Sequence, residues 1–330
     1  MIDFRYHLVS IVAIFLALSV GIVLGTTLLK EPAIDAAETL ANQLREGNTA
    51  LRDEVQVLQK RGAANDAVIA ADTPKLVKDA LIGKSVVIVE APGATTAVRE
   101  AVQQVILDAG ASVTGRVTLA DRYVDVSQST FVDKLAAAAK PAEMIFPAVG
   151  TPYDKAAAVL ASAIVTSDPG QVGKEDPAAA GVLDAFQRGG LLTVTDKPAE
   201  HADLAVLIAP AEPYVGETTA EQASAAEQAS AIVSMALGLD EAGQGTVLVG
   251  TQGSAAAGGT IAALREETSF TEKVSTVDTA DMPSGRVVMV YALREQLSGL
   301  AGQYGIGPGA ANVEPSATPA PTATTATTGG

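Results

Sequence analysis

The chain contains no cysteine. That excludes disulfides, iron–sulfur clusters, thiolate zinc or copper sites and cysteine nucleophiles, and it leaves the redox compartment undecided. Tryptophan is also missing, and six tyrosines and six phenylalanines make up the aromatic complement. A lipid-facing β-barrel, which carries aromatic girdles at both interfaces, does not fit. Histidine is scarce, with only His7 and His201, and the five methionines are scattered. A transition-metal site made wholly by one chain is therefore hard to assemble, and no cofactor is expected. Positive charge is short as well: 22 Lys and Arg stand against 38 Asp and Glu, for a formal net charge of −16. Nucleic acid is not an expected partner, because phosphate backbones need a basic face. What is present, 330 residues of which 48% are hydrophobic, suffices for one or two domains with a core.

The longest apolar run, LVSIVAIFLALSVGIVLGTTLL from Leu8 to Leu29, carries no charge. At 1.5 Å per residue, about 20 such residues cross a ~30 Å hydrocarbon layer. A cleaved signal peptide would have a shorter apolar core closed by a small-x-small site, so the run reads as an uncleaved anchor. Arg5 on one side and Lys30 on the other leave the charge rule nearly balanced, and the acidic flank of Glu31, Asp35 and Glu38 tips it. The expected topology is single-pass in the cell membrane, with residues 1–7 in the cytoplasm and the rest outside. Ala13, Ala17, Gly21 and Gly25 recur every fourth residue and form one small-residue face for close helix pairing, with itself or another protein. The competing reading is chance, since Gly and Ala are common in such helices.

Residues 30–72 read as a polar helical stalk. Ala37, Leu44, Leu51 and Leu58 fall at seven-residue spacing with Leu40 three after the first, a short coiled-coil seam that suits a homodimer. Gly47 and Glu54 interrupt the seam, and an amphipathic helix packed on the body is the alternative. Pro74 marks a new helix start leading into the folded domain.

Residues 73–310 alternate strand-like and helix-like segments, the pattern of an α/β domain with a largely parallel sheet. Expected strands are Ser85–Val89, Ser112–Leu119, Leu191–Val194, Leu204–Ala209, Thr246–Val249 and Arg286–Ala292. Expected helices are Thr96–Ala109, Phe131–Ala139, Tyr153–Val165, Val182–Arg188 and Glu221–Leu239, the last opened by the capping box Thr218-x-x-Glu221. Residues 311–330, rich in Pro, Thr and Ala, read as a disordered tail.

Chemical motifs are few. Gly83-Lys84-Ser85 precedes a strand, the reverse of a phosphate loop's context, and reads as a turn. The loop after the first strand, with Glu90, Pro92, Gly93 and Thr95, lies where open α/β sheets bind ligands but lacks the G-x-G-x-x-G pattern. His201 reads as a solvated turn residue, with no G-x-S-x-G to suggest a triad. Asp278 with Asp281, and Asp121 with Asp125, read as solvated loop ends rather than a hard-cation site. Gly302, Gly305, Gly307 and Gly309 form a loop anchored by Tyr304. No catalytic set is recognisable, so a non-enzymatic protein is expected.

The opening MIDFRYHLVSIVAIFLALSVGIVLG, then GKSVVIVEAPGA, STVDTAD, GRVVMVYAL and GQYGIGPGA, resemble in order the actinobacterial copper transporter family. The resemblance runs from Met1 to about Ala310. It implies an envelope protein tied to copper efflux, with transient copper as cargo and an outer-membrane location. It also implies a second role attached to some members: partnership with a cytoplasmic protein that controls cell separation through envelope hydrolases cutting peptidoglycan. Met282 and Met289 are isolated, and Met289 reads as core, so the residues themselves supply no soft-ligand cluster.

Overall fold

The computed structural model describes residues 4–28, 30–146 and 150–316, with the backbone alone at 27, 28 and 30–37. Leu29 of the expected anchor, the first three residues of the expected cytoplasmic head and residues 317–330 of the expected tail lie outside the described set. The chain divides into two compact units, Met1–Asn65 and Asp66–Gly330.

The first unit is helical. Helix α1 (Phe4–Leu28) is followed by the 47-residue α2 (Lys30–Leu76), whose end belongs to the second unit. Within α1 the hydroxyls turn inward on the helix: Ser19 Oγ donates to Phe15 O (2.8 Å) and Thr26 Oγ1 to Ile22 O (2.9 Å). In lipid such bonds spare a polar group from going unsatisfied. The side chains of Phe15 and Leu16 are exposed, as on a helix solvated by hydrocarbon. Helix α2 is built mostly from strong helix formers, Ala, Leu, Glu, Gln, Lys and Arg, which hold a helix without a core to bury. It runs through Pro74, which sits in the last turn rather than opening a new helix. A proline there removes one amide donor two residues before the end, and Thr73 Oγ1 donates to Ile69 O (2.8 Å) in the same turn.

The second unit carries, in order, β1 (Ser85–Glu90), α3 (Thr96–Asp108), β2 (Ser112–Leu119), α4 (Asp121–Val124), α5 (Ser129–Ala139), α6 (Pro152–Ile164), α7 (Pro177–Arg188), β3 (Leu192–Asp196), β4 (Leu204–Ile208), α8 (Thr219–Ala242), β5 (Thr246–Val249), α9 (Gln252–Ala255), α10 (Thr260–Arg265), α11 (Thr268–Thr271), β6 (Ser275–Val277), α12 (Pro283–Gln296) and β7 (Gln303–Tyr304). Among the described residues the strands form one sheet ordered β3-β2-β1-β4-β5-β6-β7. All neighbours are parallel except β3, which runs antiparallel to β2. The fold is thus α/β, as its pattern predicts.

Strand β1 shows why the sheet has two covered faces. Val87 and Val89 enter a core with Leu160, Phe186 and Ile232 from α6, α7 and α8, while Val86 and Ile88 enter the opposite core with Ile106 and Met289 from α3 and α12. Alternate side chains leave a strand on opposite faces, so a continuous Val/Ile run serves both. Capping residues fix the helix starts. Thr218 and Glu221 form the expected reciprocal box on α8, and Thr151 with Asp154 forms another on α6 behind Pro152. Backbone donors from Thr218 and Glu217 hold the Glu221 carboxyl below its ordinary range.

One expected element is the wrong type. Arg286–Ala292 lies inside helix α12, not a strand. Its run VVMVYAL is buried almost all round, and a short apolar run carries no period that separates strand from buried helix. The strands that complete this end, β6 and β7, are short and polar at Ser275, Thr276 and Gln303, and the sequence reading passed over them.

Candidate functional site

The sheet order reverses between β1 and β4, because β2 lies on one side of β1 and the chain returns to place β4 on the other. Ligands of open α/β sheets enter the crevice at such a point, beyond the strand carboxyl ends. Here the segments that follow β1 and β4 bond to each other. Ala91 N donates to Ile208 O (2.9 Å) and Ala211 N to Gly93 O (3.1 Å). Gly93 has φ +85, and a Cβ there would meet Pro210 at 3.4 Å, so glycine suits both the backbone and the approach. From the other side, Ser254 Oγ donates to Pro210 O (2.6 Å) and Thr251 Oγ1 to Ala211 O (2.9 Å). The β4 loop is pinned between its neighbours.

The polar groups of the first loop are engaged in the same way. Thr95 accepts from Val98 N (3.4 Å) as the N-cap of α3. Glu90, buried, has Arg99 Nε at 3.6 Å and Arg116 Nε at 3.0 Å, and it accepts from Thr118 Oγ1 at 3.2 Å. The Arg116 Nε is close but misaligned and makes no hydrogen bond; its Nη2 donates to Thr195 Oγ1 (3.1 Å). Pro92 completes the turn.

A second polar centre, missed in the sequence reading, lies beyond β6. Asp278 is fully buried, contrary to the expectation of a solvated loop end, and pairs with Arg265 Nη1 at 2.8 Å. Arg265 also donates to Thr276 Oγ1 (2.9 Å), Tyr304 O (2.8 Å) and Pro308 O (2.9 Å). Asp278 in turn accepts from the amides of Ile306 (2.9 Å) and Gly307 (3.0 Å). Burial pulls the guanidinium below its ordinary pKa while Asp278 opposes that shift. These bonds clasp the glycine-rich segment to the sheet. Gly305, at φ +129, would put a Cβ 1.9 Å from Asp278 Oδ1. Tyr304 is buried there and its hydroxyl donates to Glu295. Asp281, by contrast, is exposed, as expected.

Elsewhere, potential nucleophiles and bases are held in hydrogen bonds within the fold. Ser85 Oγ donates to Asp203 Oδ2 (2.9 Å) and accepts from Asp203 N (3.0 Å). Lys84 Nζ reaches Gln244 Oε1 (2.8 Å) and lies 3.6 Å from Asp203. The Gly83-Lys84-Ser85 turn therefore ties β1 to β4. His201 is buried rather than solvated; its Nε2 donates to Ser162 O at 3.1 Å and lies 3.9 Å from Asp176 Oδ2. Tyr123 and Tyr153 are also buried, with ring centroids 6.1 Å apart and hydroxyls that make no hydrogen bond; burial raises both pKa values, that of Tyr153 to about 12. Their neighbour Asp125 caps the short turn at Ser127, and Asp121 opens α4, exposed. Met289 is core, as expected. Among the described residues no group of three or more His, Cys, Asp or Glu side chains is placed to hold a metal ion.

In the first unit, Leu40, Leu44, Leu51 and Leu58 are all exposed along α2, and Val55 is exposed beside them, four residues after Leu51. Ala37 lies in the helix with its side chain outside the described set. Ala13, Ala17, Gly21 and Gly25 line α1, and nothing stands within 4 Å of a Cβ built on either glycine.

Phe4–Thr26 has a mean hydropathy of 2.8 and no buried residue in its window. With the parallel-sheet unit, it defines a membrane-anchored α/β protein. The chain matches the family described as "Copper transport outer membrane protein, MctB" over residues 1–315, and it belongs to that family. It is 29% identical over 322 residues to proteins named "Copper transporter MctB" from Mycobacterium tuberculosis and Mycobacterium bovis, covering 95% of this chain and 99% of theirs. The Mycobacterium leprae protein of that name is 28% identical over 327 residues.

Proposed function

We propose that the chain is a non-enzymatic envelope protein serving copper efflux, anchored by α1 with its α/β unit outside the cytoplasm. The observation that carries this reading is the family match from residue 1 to 315, which takes in the anchor as well as the sheet. Copper is cargo here. The chain has no thiolate, and His201 is engaged with a backbone carbonyl, so soft or imidazole ligands must come largely from further copies or other proteins. The engagement of Ser85 with Asp203, and of Glu90 with two arginines, supports a non-catalytic role. The acidic flank after the span supports the orientation. Deleting the gene should raise cell copper and the intact chain should restore it; unchanged copper content overturns the reading.

The exposed leucines of α2 favour a second reading, in which the chain is a homodimeric scaffold of cell separation. Two copies would pair along Leu44, Leu51 and Leu58 and through the Ala13, Ala17, Gly21, Gly25 face, linking a cytoplasmic protein to peptidoglycan hydrolases. Because the chain has no native thiol, Leu51→Cys supplies the only crosslinking site. A disulfide-linked dimer in membranes and chained cells on deletion support this reading, whereas a monomer with normal septation sinks it.

A further inference from the structure

The two edges of the sheet are treated differently. At β7 the chain covers its own edge: Ala311 N donates to Gln303 O (2.8 Å), and Asn312 bridges to Tyr304. At the other end β3 pairs with β2 alone among the described residues. Lys197 N donates to Thr114 O and Ala120 N to Leu191 O, which fixes the register: odd-numbered residues of β3 bond to β2, and Leu192, Val194 and Asp196 turn their backbone groups outward. Those of Val194 and Asp196 meet no described partner. An open edge of this kind is a template for another strand.

Beside this edge lies a groove of about 360 Å³ between α7 and β3. Ala180 and Leu183 of α7 and Val194 of β3 form its apolar floor. Its rim is acidic: Glu175, Asp176, Asp184, Asp196 and Glu200 line it, against the single ammonium of Lys197. Lys197 is already shared between Glu200 (2.7 Å) and Glu175 (3.5 Å), and Arg188 pairs with Asp184 from the next turn of α7, which leaves the rim with an excess of carboxylates.

We propose that the β3 edge is a docking site for an extended, basic segment of a partner polypeptide, which adds a strand beside Val194 and places alternate apolar side chains in the α7–β3 groove. Main-chain bonds would supply affinity and the pocket with its rim would supply selection. The charge decides among occupants. A second copy would bring an equally acidic rim and be repelled, while the chain's own tail, PTATTATTGG, carries no cation to meet the rim. The site is independent of copper handling and of the α2 leucines.

The test uses the full chain in detergent micelles and a fluorescent, amidated peptide of about ten residues in the repeat Val-Thr-Lys-Thr, which puts valine and lysine together on the face toward the groove. Saturable binding is expected, weakening as salt screens the rim. Val194→Pro removes the outward amide but none of the bonds to β2, and should weaken binding about tenfold or more, or 1.4 kcal/mol. Asp184→Lys should weaken the lysine peptide and strengthen its glutamate counterpart. N-methylating alternate amides of the peptide should abolish binding to the unaltered protein, a result that does not depend on any variant folding. Equal binding of lysine and glutamate peptides, full binding of the methylated peptide, or no saturation by about 1 mM overturns the proposal.

Discussion

Leu51 and Leu207 are the same side chain in opposite surroundings: Leu51 is 64% exposed on α2, and Leu207 is fully buried in β4. The second unit follows the ordinary rule of globular proteins, with apolar side chains from six- and five-residue strands such as β1 and β4 enclosed between helices. The first unit reverses it. On α1 the exposed apolar surface suits lipid, where no hydrophobic gain comes from burial in protein. On α2 the surface is mostly polar, and the exposed leucines form a narrow stripe.

Removing the clasp of the second unit should have the largest effect. Arg265→Ala leaves Asp278 charged, buried and unpaired, which costs about 3–5 kcal/mol, so Tm should fall by about 10 °C at the 2–4 °C per kcal/mol of a domain this size. Scanning calorimetry would show it, and an unchanged Tm would mean the pair adds nothing to the fold. Next comes Ser85→Ala, which strips Asp203 N of its acceptor and should cost about 1–3 kcal/mol in urea unfolding.

Asp240 gives a smaller effect with a pH signature. Burial, opposed by Lys273 and by a bond from Thr246, raises its pKa from 3.8 to about 6. The native state therefore binds this proton more tightly than the unfolded state, and stability from this group falls as pH rises through that window. Asp240→Asn should stabilise by about 1 kcal/mol at pH 7.5, discounting for partial exposure, and by almost nothing at pH 3. A gain that does not vary with pH would assign the effect to something other than ionisation. The smallest effect sharpens the contrast between units. Leu58→Asp, on the same exposed stripe, should leave the Tm of the α/β unit within about 1 °C, since surface changes away from a core stay within about 0.5 kcal/mol, while abolishing the dimer crosslinked through Leu51→Cys. A large drop in Tm would show that the leucine stripe belongs to the body's fold.

Five of the six expected strands and all five expected helices of the body were legible, because Val/Ile runs and capping residues are local signals. Thr218 with Glu221 is the clearest instance. The strand expected at Arg286–Ala292 failed for a physical reason: a helix buried on most sides loses its polar stripe, and with it the period that identifies it. The polar centre at Arg265 and Asp278 was illegible, since its members lie 13 residues apart on different elements and are completed by amides beyond residue 304. An aspartate in a loop-like sequence carries no mark of its burial. His201 was misread for the same cause: the Ser162 carbonyl that accepts its hydrogen bond lies on α6, 39 residues earlier in the chain.

The sequence alone determined the anchor, the stalk helix, the α/β class, the excess of acid and the absence of thiol chemistry, because each follows from composition or from periods within one segment. Only the tertiary structure decided which carboxylates are buried, that the segments after β1 and β4 bond to each other at the sheet's switch point, and that, among the described residues, one sheet edge is covered while the other is open. Those are properties of distance between residues far apart in the chain, and no local pattern records them.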